Sequence, residues 1–280
     1  MSSNVNGIRA AARRGGIERL AELEPQVLTL QEVRGSDQHL VAAIADTPFE
    51  DWHVAYASCA TPGRNGVAIL TPATPLAIRH GLPEFAPEGR WLEVDLPSRE
   101  HGVITVVSAY VFTGLADSPR QEEKYRFMDA MSQRLDELAR RAAQDGGEAL
   151  ITGDLNVAHR DLDIKNWKGN LKKAGFLAAE RAYFDRWLGY GWDGTTPSSG
   201  PVPHEGPWID LGRKHGGDGP GPYTWWSWRG KAFDNDAGWR IDYQLATRRL
   251  AARSLSAVVG RAPSYAERWS DHAPLIVTFA

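Results

Sequence analysis

Short apolar runs rich in β-branched residues recur from one end of the chain to the other, and they most constrain its fold. Runs of this length and composition predict strands that are largely buried in sheets. Nine segments have the pattern: Gln26–Gln31, Asp51–Ala57, Gly66–Thr71, Arg90–Leu96, Val103–Val111, Glu148–Thr152, Arg240–Ala246, Leu255–Val259 and Pro274–Phe279. Because nine strands must bury their apolar faces against other elements, we expect packed sheets.

Helical periodicity is present in two segments between the strands, Ile8–Leu23 and Arg120–Ala143. Pro119 precedes the second segment, and Ser118 and Gln121 have the spacing of a capping box, which predicts a helix start at this point. The apolar residues of this second helix follow at spacings of three and four and predict one buried stripe: Met128, Met131, Leu135 and Leu138.

The 280 residues contain no internal repeat and no linker, so we expect one domain over residues 1–280. Short turns join successive strand runs. This favours an α+β arrangement of mixed or antiparallel sheets over a doubly wound parallel sheet. One break in composition, the Gly- and Pro-rich segment Gly191–Pro222, predicts an irregular surface loop.

Composition excludes several classes of protein. Cys59 is the single cysteine, which excludes an intrachain disulfide and a cysteine-based zinc site. The sequence contains no apolar stretch of about 18 residues and no secretion signal, so we expect no membrane span and a cytoplasmic location. The net charge of −3 argues only weakly against a nucleic-acid partner, because an acidic face can offset a basic one.

Polar residues that can carry chemistry stand at the ends of the apolar runs or inside them. They are four carboxylates, three amides, a phenol and an imidazole: Glu32, Asp154, Asp242, Asp271, Asn4, Asn6, Asn156, Tyr110 and His272. Taken singly, each has an ordinary structural explanation, such as a turn, a helix cap or core packing. Taken together, at positions where strand scaffolds present functional groups, they indicate an active site.

This inventory suits the hydrolysis of a phosphodiester. Hard oxygen ligands such as the Glu32 carboxylate favour Mg²⁺ or Mn²⁺. Asp154 can act as a base or proton shuttle for water, and Asn156 can donate to the developing negative charge. His272, oriented by a carboxylate such as Asp242, can hydrogen-bond a phosphate oxygen. The sequence lacks a Gly-x-Ser-x-Gly elbow, a P-loop and a dinucleotide-binding glycine turn.

Five motifs, in the same order, resemble those of the exodeoxyribonuclease III and AP endonuclease family of the endonuclease/exonuclease/phosphatase superfamily. They cover essentially the whole chain: Asn4–Ala10 (NVNGIRA), Leu30–Arg34 (LQEVR), Gly153–Asn156 (GDLN), Trp239–Tyr243 (WRIDY) and Ser270–Pro274 (SDHAP). The resemblance implies a four-layer αββα sandwich, in which helices flank two packed mixed sheets and the site lies at one edge of the sheets.

The resemblance also implies a role for each matching residue. The divalent metal would be bound, directly or through water, by Asn4, Glu32, Asp154, Asn156 and Asp271. Asp154 would activate the attacking water, and Asn156 would stabilise the transition state. Tyr110 would contact the scissile phosphate, while Asp242 would pair with His272, which engages that phosphate.

Two segments, Asp163–Phe176 and Tyr223–Trp239, resemble the DNA-contacting loops of the family. The chain around each is locally basic, with seven basic and four acidic residues in Arg160–Trp192 and six and three in Trp228–Arg253. Basic side chains there would contact phosphates, and aromatic ones would wall a pocket for a flipped, base-free deoxyribose. The expected DNA contacts are Asn6, Arg9, Arg90, Asn166, Lys168, Asn170, Lys173, Trp226, Arg229 and Trp239.

The resemblance therefore implies a monomeric DNA repair nuclease that uses Mg²⁺ or Mn²⁺. It would hydrolyse the phosphodiester 5′ to abasic sites in duplex DNA. The same site would supply 3′–5′ exonuclease and 3′-phosphatase or phosphodiesterase activity on blocked 3′ ends, because each reaction places a 3′-side phosphorus at the same metal.

Two alternatives stay open. A superfamily relative that cleaves lipid or inositol phosphates would not need the two basic loops. A catalytically silent DNA-binding module would be expected to lack Glu32, Asp154 or His272, and all three are present. Metal-dependent incision of a duplex carrying one tetrahydrofuran site would distinguish the three.

Overall fold

Two six-stranded mixed sheets form the centre of the molecule, in a computed structural model that describes residues 1–189 and 206–280. In chain order the strands are β1 (Ser2–Asn4), β2 (Leu28–Gln31), β3 (His53–Ala57), β4 (Val67–Thr71), β5 (Ala77–His80), β6 (Trp91–Ser98), β7 (Gly102–Tyr110), β8 (Glu148–Asp154), β9 (Trp208–Asp210), β10 (Asp242–Thr247), β11 (Ser254–Val259) and β12 (Leu275–Phe279). The first sheet has the order β11-β12-β1-β2-β4-β3, and the second has the order β5-β6-β7-β8-β10-β9. Two pairs are parallel, β1 with β2 and β7 with β8, and the other paired strands are antiparallel.

Seven helices surround the sheets among the described residues: the first five cover the outer faces, and the last two pack into an apolar cluster that includes residues of both sheets. The helices are α1 (Ile8–Arg13), α2 (Gly16–Ala21), α3 (Asp37–Ile44), α4 (Pro119–Asp145), α5 (Ala178–Leu188), α6 (Leu211–Gly216) and α7 (Arg248–Ala252). One apolar core joins α1, α2 and α3 to the first sheet, and another joins α4 and α5 to the second. A third core fills the space between the sheets. The predicted α+β fold, a four-layer αββα sandwich, is therefore confirmed.

Hydrogen bonds between the two sheets fix their relative position close to one edge. The hydroxyls of Thr29 and Thr152 lie 2.6 Å apart, which joins β2 to β8. Nε2 of Gln31 donates to Oγ of Ser108 at 3.0 Å, and that hydroxyl donates to the carbonyl of Leu30. Buried polar groups need such partners, and here the pairing sets how the end of β2 faces the ends of β7 and β8.

The nine predicted strands are all present, whereas one predicted helix is wrong. The segment predicted as a single helix, Ile8–Leu23, forms α1 and α2, which are separated at Gly15 with φ of 73°. A left-handed residue ends a helix, and glycine adopts that conformation without a side-chain clash. Of the helices that the structure describes, none is long and apolar enough to cross a membrane.

Helix α4 confirms the predicted buried stripe, but the predicted capping box is wrong. The side chain of Ser118 makes no hydrogen bond with the first turn, and its hydroxyl donates instead to the carbonyl of Leu115 at 2.7 Å. The Gln121 amide donates to Glu180 of α5, which draws it away from the helix start. Pro119 does begin the helix, as its fixed φ favours.

The segment Gly191–Pro222 is not entirely irregular. Its first part, through residue 205, lies outside the described residues. The remainder contains β9 and α6, so the prediction of an irregular loop is wrong for residues 208–216. Strand β9 completes one edge of the second sheet beside β10. The strands β1, β5 and β9 were not predicted, because three or four residues are too few to show a periodicity.

Candidate active site

Strand register brings the predicted site residues to one edge of the sandwich. In the second sheet, Tyr110 pairs with Asp154 across β7 and β8, and Asp154 pairs with Asp242 across β8 and β10. In the first sheet, Asn4 ends β1 beside the end of β2, and Glu32 follows β2 directly. The packing of the two sheets therefore places groups that are far apart in sequence within reach of each other.

Asn4 joins the two sheets at the centre of the site. Its Nδ2 donates to Oε1 of Glu32 at 2.8 Å and to Oδ2 of Asp154 at 2.9 Å. Its Oδ1 accepts the backbone N–H of Asn6 at 3.0 Å. Asn4 was predicted as a metal ligand, but its amide nitrogen faces the carboxylates and its oxygen is already engaged. The geometry thus gives Asn4 the task of holding the two carboxylates side by side.

His272 lies between two aspartates. Its Nδ1 is 2.9 Å from Oδ2 of Asp242, so the predicted pairing of these residues is present, and its Nε2 is 3.7 Å from Oδ2 of Asp154. Burial opposes the charged imidazolium, but the carboxylates of Asp242 and Asp154 outweigh burial and raise the pKa of His272 above its usual range. His272 is therefore a cationic hydrogen-bond donor at neutral pH.

Asp154 is completely buried at the end of β8. Burial, reinforced by the neighbouring carboxylates of Asp242 and Glu32, raises its pKa above the usual range, and the charge of His272 acts in the opposite direction. The backbone N–H of Asn156 donates to Oδ1 of Asp154 at 3.0 Å. A carboxylate with a raised pKa is suited to accept a proton from a reacting group.

Asn156 and Tyr110 flank Asp154. Asn156 has a left-handed backbone with φ of 51°, and its Nδ2 donates to the carbonyl of Val111 at 2.9 Å. The Tyr110 phenol is buried, and burial together with the carboxylates of Glu32 and Asp154 raises its pKa. The phenol consequently stays protonated and can donate a hydrogen bond.

Arg34 is a site residue that the sequence prediction missed. Its guanidinium forms an ion pair with Oε2 of Glu32, and NH1 donates to Oδ1 of Asn6 at 2.8 Å. Glu32 and Arg34 both have left-handed backbones, with φ of 51° and 50°, which turn the two side chains into this arrangement. The sequence signal for Arg34 is its position two residues after Glu32. That position does not distinguish a site residue from an ordinary exposed charge.

Asp271 has donors on both carboxylate oxygens. Nδ2 of Asn6 donates to Oδ1 at 2.8 Å, and Nε1 of Trp225 donates to Oδ2 at 3.1 Å. Trp225 in turn lies edge-on to Trp239, with the ring centres 6.1 Å apart. Both indoles are half-buried, and Trp225 also forms a backbone bridge with His272. An aromatic wall therefore stands directly beside the acidic groups.

Among the described residues, the two carboxylates of one buried group can hold a metal ion, with the imidazole of His272 beside them. One ligand atom each from Glu32, Asp154 and His272 lie within 4.8 Å of one another, and all three residues are buried. Two buried carboxylates with Asp271 nearby provide the hard oxygen donors that Mg²⁺ or Mn²⁺ prefers. The donor set fits a divalent cation. Asp271 lies outside this group, and its oxygens face Asn6 and Trp225.

The residues predicted to contact DNA separate into two sets by exposure. Exposed or half-buried are Asn6, Arg9, Asn166, Lys168, Lys173, Arg229 and Trp239. Buried are Arg90, Asn170 and Trp226. Trp226 is 2% exposed, packs on Phe233 and donates to Asp236, in contrast to the predicted surface contact. The signal for core packing, an apolar ring within a cluster of tryptophans, is the same as the signal for a pocket wall.

Arg90 also has an internal position. Its guanidinium lies 3.7 Å from the ring centre of Phe112 and 4.8 Å from that of Tyr110. NH1 donates to the carbonyl of Tyr110 at 3.2 Å, and NH2 donates to Oδ1 of Asn65 at 3.0 Å. Arg90 thus packs against the Tyr110 ring inside the protein. This buried position differs from the predicted contact with DNA.

Several known proteins are similar to this chain in both sequence and fold. The chain is 29% identical to an exodeoxyribonuclease of Bacillus subtilis, over 98% of this chain and 96% of the relative. It is 29% identical to the DNA repair nuclease APEX1 of Danio rerio, over 100% of this chain and 81% of the relative. A solved structure of the 3′ phosphatase NExo from Neisseria, bound to a product DNA hairpin, superposes with a TM-score of 0.80 at 26% identity and covers 100% of this chain and 98% of that one. The model of the endonuclease/exonuclease/phosphatase family matches residues 1–272, and the chain belongs to this family.

Proposed function

We propose that this protein is a divalent-metal-dependent DNA repair nuclease that hydrolyses the phosphodiester 5′ to abasic sites in duplex DNA. The observation that carries the proposal is the buried group of Glu32, Asp154 and His272, in which Asp242 orients the imidazole. Carboxylates for a hard cation, a base beside them and a cationic donor are the parts that phosphodiester hydrolysis requires. The names of the similar proteins support DNA as the substrate.

Each residue of the site has a chemical task in this reaction. Asp154 accepts a proton from the attacking water, whose oxygen bonds to phosphorus as the bond from phosphorus to the 3′ oxygen breaks. His272 donates to a non-bridging phosphate oxygen, and Asp242 holds Nδ1 so that Nε2 faces the substrate. Tyr110 and Asn156 donate to the developing negative charge. The departing 3′ oxygen takes up a proton from water, so the products are a 3′-hydroxyl and a 5′-phosphate on the abasic residue.

The resident cation is proposed to be Mg²⁺, with Mn²⁺ as a substitute. Glu32 and Asp154 would hold it directly, and Asp271, Asn156 and Asn4 would act from positions around it. When bound, it supplies Lewis-acid polarisation of a phosphoryl oxygen. Because Arg34 already neutralises one oxygen of Glu32, we infer that this ion pair opens when the cation is loaded.

The abasic residue is proposed to enter beside Trp225 and Trp239. Their indoles stand next to the acidic group, and the exposed Lys168 and Arg229 lie on the loops that would follow the phosphate backbone. The same site would supply 3′–5′ exonuclease and 3′-phosphatase or phosphodiesterase activities. We propose that the protein acts as a monomer in the cytoplasm and that residues 1–280 form one catalytic domain.

Incision of a defined duplex tests this function. The purified protein is incubated with a duplex carrying one tetrahydrofuran residue, with Mg²⁺, with Mn²⁺, or with EDTA. We expect a single cut on the 5′ side of the tetrahydrofuran that depends on the cation and decreases by at least about 100-fold in Asp154→Asn. Cleavage in EDTA, or equal cleavage by Asp154→Asn, would contradict the proposal. Hydrolysis of inositol phosphates with an intact duplex would favour the lipid-phosphate alternative.

A further inference from the structure

A lysine occupies the apolar stripe of helix α4. The buried residues of this helix recur at spacings of three and four, and Lys124 stands in that series between Gln121 and Met128. Its side chain is completely buried. Lysine is rarely buried in full unless its ammonium has partners, so its partners indicate what it does.

The ammonium of Lys124 binds the two loops that carry the reactive groups. Nζ donates to the carbonyl of Asn156 at 2.8 Å and to the carbonyl of Thr113 at 3.3 Å. The first carbonyl belongs to the turn after β8, two residues beyond Asp154. The second belongs to the segment after β7, three residues beyond Tyr110. Lys124 therefore joins the ends of two neighbouring parallel strands from behind the site.

The turn that Lys124 contacts contains a residue with a left-handed backbone. Asn156 has φ of 51°, a region that non-glycine residues seldom adopt, so surrounding contacts must maintain it. Its side chain links the same two loops through the carbonyl of Val111 and Oδ2 of Asp154. Moving its carbonyl away from Nζ would displace both the amide and the backbone N–H that binds Asp154.

Glu180 on α5 neutralises the buried charge. Its Oε1 lies 2.6 Å from Nζ and accepts the amide of Gln121, while Oε2 accepts the backbone N–H of Leu177. Neither side chain of the pair is exposed. A buried ion pair stabilises a fold no better than apolar residues of similar volume, because both charges lose their hydration. Packing alone therefore does not explain a lysine at this position.

We propose that Lys124 is a positioning residue for hydrolysis, with Glu180 as its counter-ion, and that it fixes Asp154 and Asn156 in the geometry that the transition state requires. This inference rests on the proposed nuclease function. Lys124 does not touch substrate in this arrangement, since its donors face backbone carbonyls and Glu180. Its effect is expected in kcat more than in KM, because binding surfaces on the loops are left unchanged.

Substitution of the pair tests the proposal on the tetrahydrofuran duplex at saturating Mg²⁺. Lys124→Met removes the charge and keeps the volume, and we expect kcat to fall about 10- to 100-fold, as a misplacement of about 1 Å can cause, with KM within about threefold of wild type. Lys124→Arg restores a cation that can reach the same carbonyls, so part of kcat should return. Glu180→Gln should lower kcat in the same direction.

Arg134→Met is the matched control. Arg134 lies on the same helix and pairs with the buried carboxylate of Glu93, far from the reactive groups. It should lower the melting temperature while leaving kcat unchanged. All rates are measured where circular dichroism shows each variant folded. A folded Lys124→Met with wild-type kcat would overturn the proposal, as would Glu180→Gln with wild-type kcat if Lys124→Met does not fold. Absence of cation-dependent incision by the wild type would instead contradict the proposed function.

Discussion

The indole N–H of Trp225 donates a hydrogen bond of 3.1 Å to Oδ2 of Asp271, so the aromatic wall is joined to the acidic site. Asn6 holds the other oxygen of the same carboxylate at 2.8 Å. Two segments that are distant in sequence, the loop after β1 and the loop before β10, thus fix the orientation of Asp271. Partners of this kind tune the affinity of a nearby metal site even when they do not bind the metal.

Trp225→Phe removes the indole N–H while keeping an aromatic ring. We expect Mn²⁺ to bind about 10-fold more weakly, because Asp271 loses one of its two donors. Calorimetric titration of Mn²⁺ into the protein without DNA measures the effect. Trp187→Phe is the matched control, since its indole donates to Ser132 within the core beneath α4 and α5. Equal Mn²⁺ affinity in wild type and Trp225→Phe would contradict the expectation.

Asp242→Asn tests the orientation of His272. The introduced amide has no charge to neutralise the imidazolium of His272. The pKa of His272 should therefore fall, because one of its two neighbouring carboxylates is lost. We expect kcat to decrease by about 10²- to 10⁴-fold, with duplex affinity little changed. Single-turnover rates and equilibrium binding of the tetrahydrofuran duplex give the two quantities. A similar loss in affinity would show that Asp242 acts in binding.

Stability at acidic pH is expected to depend on Asp163. This residue is buried with Arg240, whose Nε lies 2.7 Å from Oδ1, and with Arg213, which forms a second ion pair. Burial opposes the charged carboxylate, but the two guanidinium groups outweigh burial and hold the pKa of Asp163 far below its usual range. Asp163 therefore stabilises the fold above the unfolded-state pKa of about 3.9, and this contribution is lost as pH falls below that value.

Asp163→Asn should consequently cost about 3–5 kcal/mol of unfolding free energy at pH 7, since it leaves the buried guanidinium of Arg213 without its carboxylate and that of Arg240 with Asp210 alone. Urea denaturation of wild type and variant at pH 7 and at pH 3 measures the difference. The difference in unfolding free energy between wild type and Asp163→Asn should be smaller at pH 3 than at pH 7. An equal difference in unfolding free energy at the two pH values would show that the charge of Asp163 does not contribute to stability.

The salt dependence of DNA binding tests the exposed basic residues of the two loops. Each phosphate contact contributes about one unit to the slope of log affinity against log salt concentration. Lys168→Ala and Arg229→Ala should each flatten that slope by nearly one unit. Arg140→Ala, on the exposed face of α4, removes the same charge far from the loops and should leave the slope unchanged. Unchanged slopes in both loop variants would remove Lys168 and Arg229 from the DNA-binding surface.

The sequence predicted much of the site because strand patterns place polar residues at strand ends. Asp154 and Tyr110 end β8 and β7 as the apolar runs indicate, and the pairing of Asp242 with His272 is present. Arg34 and Lys124 were missed. Lys124 did leave a signal, because a lysine interrupts the apolar stripe of α4. Arg34 left none that distinguishes it from an exposed charge.

The sequence by itself determined the strands, the long helix and the types of residue that meet at the sheet edge, because hydrophobic periodicity and local backbone preference are written in neighbouring residues. Only the tertiary structure decided which atoms pair. Asn4 meets Asp154 across 150 residues, and whether its amide presents nitrogen or oxygen depends on the packing of the two sheets. The packing of the whole fold also determined which side chains are buried. Trp226 and Arg90 lie inside the protein, and Glu180 lies beside Lys124. Hydrogen-bond direction and burial depend on the whole fold, so no local pattern contains them.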